Sequence, residues 1–272
     1  MTSTLLMPRG YHRRTTAVPS ATAAGSTAPT RILDLTHPRV RAAVAALGAP
    51  PSTGPTQQMP GTGPTEQTPP TVAALRRAHR WIAGAVRPVY SVDEGRPVSE
   101  VLRTGRGSCS QRMAVLEAVA RSWGVPTRVR GLVVDGRFWY PRFPRLRAVV
   151  PAEVVLAWPE FRLPERTPDD GPWLPVSALF ADGRTAARTG GPFTNSGPET
   201  LFEALSRTAV DWDGTASAAC PGTGPCDLSA QVRADLGHFD SRDALFARHG
   251  QTLCPAARLL AEPLLSRRAA GH

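Results

Sequence analysis

The segment from Gly105 to Arg128 constrains the fold of this chain more than any other part of it. Its sequence is GRGSCSQRMAVLEAVARSWGVPTR, in which a glycine-rich turn precedes a stretch with the apolar spacing of a helix. Ser108 followed three residues later by Gln111 is a capping-box pattern, which predicts that the helix begins at Cys109. Gly124 is placed to end the helix, and the chain then enters a strand.

Cys109 is a candidate nucleophile because of its predicted position. The unpaired N–H groups and the positive end of the dipole at a helix N-terminus favour an anion, so a thiol there tends toward the thiolate. The thiolate is the form that attacks carbonyl carbon. A small buried cysteine that only begins a helix is an equally good interpretation of the local sequence.

The pattern of apolar residues around this segment predicts an α+β fold. Asp135-Gly136 is a two-residue hairpin signal between strands at 127–134 and 137–140. Further strands are predicted at 154–162 and 173–179. Helices are predicted at 38–47, 72–86, 97–103, 109–123, 198–206, 227–236, 241–249 and 256–267.

Composition divides the chain into three parts. Residues 1–70 are rich in Thr, Pro, Gly, Ser and Ala, and we expect a disordered or low-complexity arm with one short helix at 38–47. Residues 71–180 carry the segment around Cys109 and the predicted strands, and form the expected core. Residues 181–272 are predicted to be a helical C-terminal extension that packs on this core.

The net charge of +10 suggests nucleic-acid binding, but the sequence gives little support for it. All 32 basic residues are arginine, and this bias together with abundant Pro, Ala and Gly is typical of a high-GC bacterial genome. No basic stripe interleaved with aromatic residues and no recognition helix is evident. We therefore disfavour a nucleic-acid partner.

Other function classes are excluded by what the sequence lacks. It has no apolar stretch of a signal peptide and none near the roughly 20 apolar residues of a membrane span, which favours a cytoplasmic protein. The four cysteines fit no zinc spacing, so neither a metal nor another cofactor is expected. Cys220 and Cys226 are expected to be free thiols, with a loop disulfide between them as the alternative.

Three short motifs in order resemble the transglutaminase-like superfamily. The first is Gly-Ser-Cys109 with the following helix and Gly-Val-Pro-Thr-Arg128. The second, Leu156-Ala-Trp-Pro-Glu160, is similar to the family's His-Ala-Trp-x-Glu. The third, Trp-Leu-Pro-Val-Ser177, is similar to Trp-x-Pro-Val-Asp. The resemblance implies a papain-like core in which a helix that opens on the cysteine packs on an antiparallel sheet.

The family uses a Cys-His-Asp triad for acyl transfer, and this sequence retains only part of it. Carried over by position, Cys109 corresponds to the nucleophile, Leu156 to the histidine base and Ser177 to its orienting carboxylate. A leucine can neither accept the thiol proton nor donate one to the leaving group, a contribution worth about 10²- to 10⁴-fold. The degenerate triad therefore argues against ordinary protease or transglutaminase chemistry.

No other residue of the sequence is an obvious replacement for the base. Glu160 shares a strand face with Leu156 but lies about 13 Å along the strand from it, too far for contact with a thiol opposite Leu156. His79 is expected to be a structural residue on its helix. His238 is expected in a turn between helices, and His249 at a helix C-terminus that suits a positive charge. We retain His238 only as a remote candidate.

Two functions remain open at this stage. In the first, Cys109 performs acyl or amide transfer, for example on a carrier-bound thioester of bacterial secondary metabolism. In the second, an inactive family member uses the vacated cleft to bind a peptide, an acyl group or a protein. Trp158, Arg142 and Arg145 are the candidate substrate-binding residues. An acidic acyl carrier protein would suit the arginines at 128, 130, 142, 145 and 147, although solvated surface charge explains them as well.

Overall fold

The computed structural model describes residues 23–48, 70–145, 147, 150–164, 173–180, 193, 195–196, 199–207, 228–267 and 269–270. Six α-helices lie in this part of the chain. They are α1 Pro38–Leu47, α2 Pro70–Ala85, α3 Val98–Thr104, α4 Cys109–Ser122, α5 Arg242–His249 and α6 Pro255–Leu265. The strands are β1 Arg87–Pro88, β2 Arg106–Gly107, β3 Thr127–Asp135, β4 Glu153–Phe161, β5 Leu174–Pro175 and β6 Val232–Phe239.

A four-stranded antiparallel sheet with the order β5-β4-β3-β6 forms one layer of the core. β3 pairs with β4 without a shift over nine residue pairs, from Thr127 opposite Phe161 to Asp135 opposite Glu153. On its other side β3 pairs with β6, where two irregularities interrupt the register. The short parallel pair β1-β2 lies apart from this sheet and precedes α4 directly.

Helix α4 is the central helix of the core. Its residues from Ser110 to Arg121 are all buried, because α1, α2 and α3 pack against it in addition to the sheet. The helix is only weakly amphipathic, as is typical of a helix that has packing partners on every side. The helix begins at Cys109 as the sequence predicts.

The expected low-complexity arm is ordered where the structure describes it. Ile32, Leu33 and Val40 belong to the main hydrophobic cluster, and the backbone of Ser26 pairs with that of Thr127 at the start of β3. Helix α1 has the bounds 38–47 predicted from Pro38 and Gly48. Residues 23–48 therefore belong to the core, contrary to the expectation of an arm, while 1–22 and 49–69 lie outside the described residues.

The predicted hairpin at Asp135-Gly136 is wrong. Asp135 instead accepts a hydrogen bond from the Arg137 N–H at 2.9 Å and caps a 3-10 helix, Gly136–Arg142. The Gly136 N–H donates to Ala152 O at 2.8 Å. A Cβ on Gly136 would lie 1.7 Å from the carbonyl oxygen of Pro151, so this position requires glycine for a close approach of two backbones rather than for a turn.

The C-terminal part of the chain is not wholly helical. The helix predicted at 227–236 is wrong, because this stretch forms a 3-10 turn, Leu228–Gln231, followed by β6 of the main sheet. The prediction at 198–206 is reduced to a 3-10 helix, Glu203–Arg207, and that at 173–179 to β5 and a 3-10 helix, Val176–Phe180. The last two helices, α5 and α6, lie within one or two residues of the predicted bounds.

Candidate functional site

The start of α4 has the geometry that its sequence predicts. The Gln111 N–H donates to Ser108 Oγ at 3.2 Å, and the Ser108 N–H donates to Gln111 Oε1 at 3.0 Å, so both halves of the capping box are present. Cys109 is the first residue of the helix and is half-buried, with its side chain against the main hydrophobic cluster. The thiol makes no hydrogen bond or ion pair with any residue that the structure describes.

A loop, residues 90–96, braces this end of α4. Gln111 Nε2 donates to Ser91 Oγ at 2.9 Å and to Asp93 O at 2.8 Å, so the capping residue also holds the loop. Glu262 on α6 accepts hydrogen bonds from Ser91 Oγ, from the N–H groups of Val92 and Asp93, and from Arg96. The 90–96 loop is therefore fixed to α4 on one side and to α6 on the other.

A buried polar network lies beside the loop and the first turns of α4. Arg242 Nε donates to Glu117 Oε1 at 2.5 Å and its Nη1 donates to Ser110 Oγ at 2.8 Å. Ser110 also hydrogen-bonds the carboxyl group of Glu94, which points inward from the loop. Desolvation by burial raises the pKa of Glu94 to about 6, and burial likewise raises the pKa of Glu117.

Leu156 and Trp158 on β4 belong to the hydrophobic core. Leu156 lies opposite Leu132, and Trp158 lies opposite Arg130, in the unbroken register of β3 and β4. The exposed fractions of Leu156 and Trp158 are only 5% and 1%. Trp158 is therefore buried by packing, and its role in substrate binding stays a prediction.

The sequence was compared with models of known protein families, with curated proteins and with solved structures. Residues 61–178 match the model of the transglutaminase-like superfamily. The chain contains a transglutaminase-like domain. No curated protein and no solved structure matches the chain. The α+β fold predicted from the resemblance is confirmed, with a helix that opens on Cys109 packed beside an antiparallel sheet.

The resemblance aligns Leu156 and Ser177 with the histidine and the aspartate of the family triad. In the structure Leu156 is buried in the main hydrophobic cluster. Ser177 is in the 3-10 helix that follows β5, whereas the resemblance implies a position on a strand. Within the described ranges, no group of three or more His, Cys, Asp or Glu side chains could hold a metal ion.

The histidines considered as substitutes have other contacts. His79 stacks on Phe202 and its Nε2 lies 2.7 Å from Phe202 O, and desolvation by burial lowers its pKa. His238 is on β6, not in a turn, and its Nε2 lies 3.4 Å from Glu160 Oε1. His249 is the last residue of α5, as predicted, and packs edge-on against Phe239.

Most of the arginines proposed for an acidic partner are engaged inside the transglutaminase-like domain or against it. Arg128 pairs with Glu160 at 2.6 Å, and Arg130 pairs with Asp235 at 2.7 Å. Arg142 Nε donates to Asn195 Oδ1 at 2.9 Å and its Nη2 donates to Glu199 O, so Arg142 ties two segments together. Arg145 and Arg147 are exposed.

Sequence reasoning did not find the network of Glu94, Ser110, Arg242 and Glu117. Glu94 precedes α4 in a loop and Arg242 begins α5, so no spacing relates them. Cys220 and Cys226 lie outside the described residues. In that described part, no helix is long and apolar enough to cross a membrane.

Proposed function

We propose that Cys109 is an acyl-accepting thiol that takes an acyl group from a thioester and passes it to a second nucleophile. The observation that carries the proposal is the position of Cys109 as the first residue of α4, behind a complete capping box and only half-buried. The N–H groups and dipole at this end of a helix stabilise negative charge on a thiolate or on the oxygen of a tetrahedral intermediate.

No histidine of the described residues is hydrogen-bonded to the Cys109 thiol, which favours a thioester over an amide as the acyl donor. Attack of the Cys109 thiolate on the thioester carbonyl forms a new carbon–sulfur bond, and the old one breaks to release the donor as a thiolate. That leaving group needs no protonation, whereas an amine leaving group needs a general acid, and Leu156 supplies none. An amine that then attacks the Cys109 thioester yields an amide and returns the thiol.

An acidic acyl carrier protein is the proposed source of the thioester. Arg145 and Arg147 are exposed in the segment after β3, and Arg147 lies over the ring of Tyr140. Both guanidinium groups can therefore meet acidic side chains of a partner. Complementary charge of this kind mainly accelerates encounter and orients the partner.

Burial of Leu156 and Trp158 favours a second candidate, a domain that binds its ligand without chemistry. The two side chains are only 5% and 1% exposed. The region in which the resemblance places the family histidine is therefore filled with packed apolar groups. A protein that had lost its base but kept the fold could still present the half-buried edge of α4 to a peptide or an acyl chain.

Intact-mass spectrometry distinguishes the two candidates. The protein is incubated with an acyl thioester of N-acetylcysteamine, and we expect a gain of one acyl mass that hydroxylamine removes. Cys109→Ala is expected to show no gain, while Cys254→Ala, which removes the other cysteine of the described residues, keeps it. Equal labelling of the wild type and Cys109→Ala contradicts acyl transfer through Cys109 and leaves the binding function as the better account.

A further inference from the structure

Two buried carboxyl groups share one guanidinium beside the first turns of α4. Arg242 reaches Glu117 directly and reaches Glu94 through the hydroxyl of Ser110. The second oxygen of each carboxyl group, Oε2 of Glu94 and Oε2 of Glu117, is buried and has no hydrogen-bond partner among the described residues. A buried carboxylate oxygen without a partner is costly when it carries charge, whereas a protonated carboxyl tolerates such a position far better.

The surrounding charges do not compensate for the missing partner. Asp93 and Glu262 raise the pKa of Glu94, although each is itself paired, Glu262 with Arg96 at 2.5 Å and Asp93 with Arg96 and with Arg258 of α6 at 3.9 Å. On the side of Glu117, Asp243 of α5 opposes Arg121 of α4, whose guanidinium donates to Thr127 and to the carbonyls of Ala28 and Asp240. With both carboxyl groups ionised, the group of Glu94, Glu117 and Arg242 carries one net negative charge, and one bound proton neutralises it.

We propose that Glu94, Ser110, Arg242 and Glu117 form a proton latch, in which one proton held by the two carboxyl groups keeps the 90–96 loop against α4. When the proton leaves, the inward carboxylate of Glu94 requires water, which it can reach only if the loop moves outward. Because the two carboxyl groups are linked through Ser110 and Arg242, they titrate as one unit rather than independently.

The latch bears on Cys109 because its parts are neighbours of that residue. Ser110 is the next residue of the chain, and the loop that carries Glu94 is hydrogen-bonded to Gln111 of the capping box. Loosening of the loop therefore exposes the start of α4, and access of reagents to the Cys109 thiol increases as the pH rises. The biological role of this change rests on the proposed function of Cys109. The change in thiol access itself does not, since it can be measured without acyl transfer.

Hydrogen exchange of the full chain, followed by mass spectrometry of a peptide spanning residues 90–97, tests the latch. The measurement is made at about pH 4.5 and pH 7.5, with labelling times scaled for the intrinsic pH dependence of exchange. We expect protection of this peptide in the wild type to fall about tenfold at the higher pH, as the raised pKa of Glu94 requires. In Glu94→Gln, which keeps the shape without the charge, protection is expected to be equal at both values.

The control variant is Glu100→Gln on α3, whose carboxyl group pairs with Arg103 at the surface. It is expected to behave as the wild type does. Equal loss of protection in the wild type and in Glu94→Gln, or no loss in the wild type, overturns the latch. A second measurement is the rate at which iodoacetamide alkylates Cys109. The rate in the wild type is divided by the rate in Glu94→Gln at each pH. The ratio is expected to rise with pH, and a constant ratio overturns the link to Cys109 whether or not an acyl adduct forms.

Discussion

Arg242 at the start of α5 and Glu117 in the middle of α4 form an ion pair in the core, with 2.5 Å between Nε and Oε1 and side-chain exposures of 1% and 0%. The pair joins the central helix to the helix that follows β6, and the remaining Nη2 of Arg242 points to the carbonyl of Ala157 on β4 at 3.4 Å. One guanidinium therefore connects two helices and the sheet.

Removal of this guanidinium is expected to destabilise the protein strongly. Arg242→Met keeps much of the side-chain volume but leaves Glu117 buried without its partner, and the free energy of unfolding should fall by about 3–5 kcal/mol. Urea unfolding followed by circular dichroism measures the change. The matched variant Arg103→Met breaks an exposed pair with Glu100 and should leave the unfolding midpoint unchanged. Similar losses in the two variants would contradict the assigned role of Arg242.

The stability of the protein is expected to decrease as the pH rises through the raised pKa of Glu94. That pKa is about 6 in the folded chain against an ordinary value of 4.5. The folded state therefore holds the proton more tightly, and the resulting stability is present below pH 4.5 and lost above pH 6. The loss amounts to about 2 kcal/mol.

Glu94→Gln should remove this dependence. Urea unfolding of the wild type and the variant at several values between pH 4 and pH 8 measures it. Over that range the wild type should lose about 2 kcal/mol of unfolding free energy relative to Glu94→Gln. Parallel pH profiles of the two proteins would show that Glu94 carries no such proton.

The elements that the sequence predicts well are those with complete local signals. α4 has its capping box and α1 has Pro38 and Gly48 at its ends, and both begin at the predicted residues. α5 likewise begins after Ser241, whose hydroxyl accepts from the Ala244 N–H at 3.1 Å, and ends at Gly250. In each case the information lies within a few residues of the chain, so no distant partner is needed.

The elements that the sequence predicts badly depend on distant partners. Val232–Phe239 has no strong strand pattern, and it becomes a strand because β3 has a second edge whose backbone groups must be hydrogen-bonded. Asp135-Gly136 has the composition of a hairpin turn, but the partner of β3 is β4, which returns only after the 3-10 helix. The position of Cys109 at the start of α4 is predictable from the capping box, whereas Glu94 and Arg242 come together only in the folded chain.

The capping box is expected to stabilise the start of α4 and to restrain Cys109. Ser108→Ala removes the acceptor of the Gln111 N–H, and since this end is buried the free energy of unfolding should fall by about 1–2 kcal/mol. Iodoacetamide labelling of Cys109 should also accelerate, because the first turn frays. Ser122→Ala, near the exposed C-terminal end of the same helix, should change neither quantity appreciably. Unchanged labelling in Ser108→Ala would show that the cap does not restrain the thiol.

Charge reversal at the exposed arginines is expected to separate partner recognition from chemistry. In the double variant Arg145→Glu and Arg147→Glu, transfer from an acyl-loaded acidic carrier protein to Cys109 should slow about tenfold, because opposite charges accelerate encounter. The difference should shrink at high salt, which screens exposed charges. Acylation by the small N-acetylcysteamine thioester, which carries no acidic surface, should keep its wild-type rate. Arg41→Glu on α1 reverses another exposed arginine and serves as the control. Carrier transfer at the wild-type rate in the double variant would remove Arg145 and Arg147 from the recognition surface.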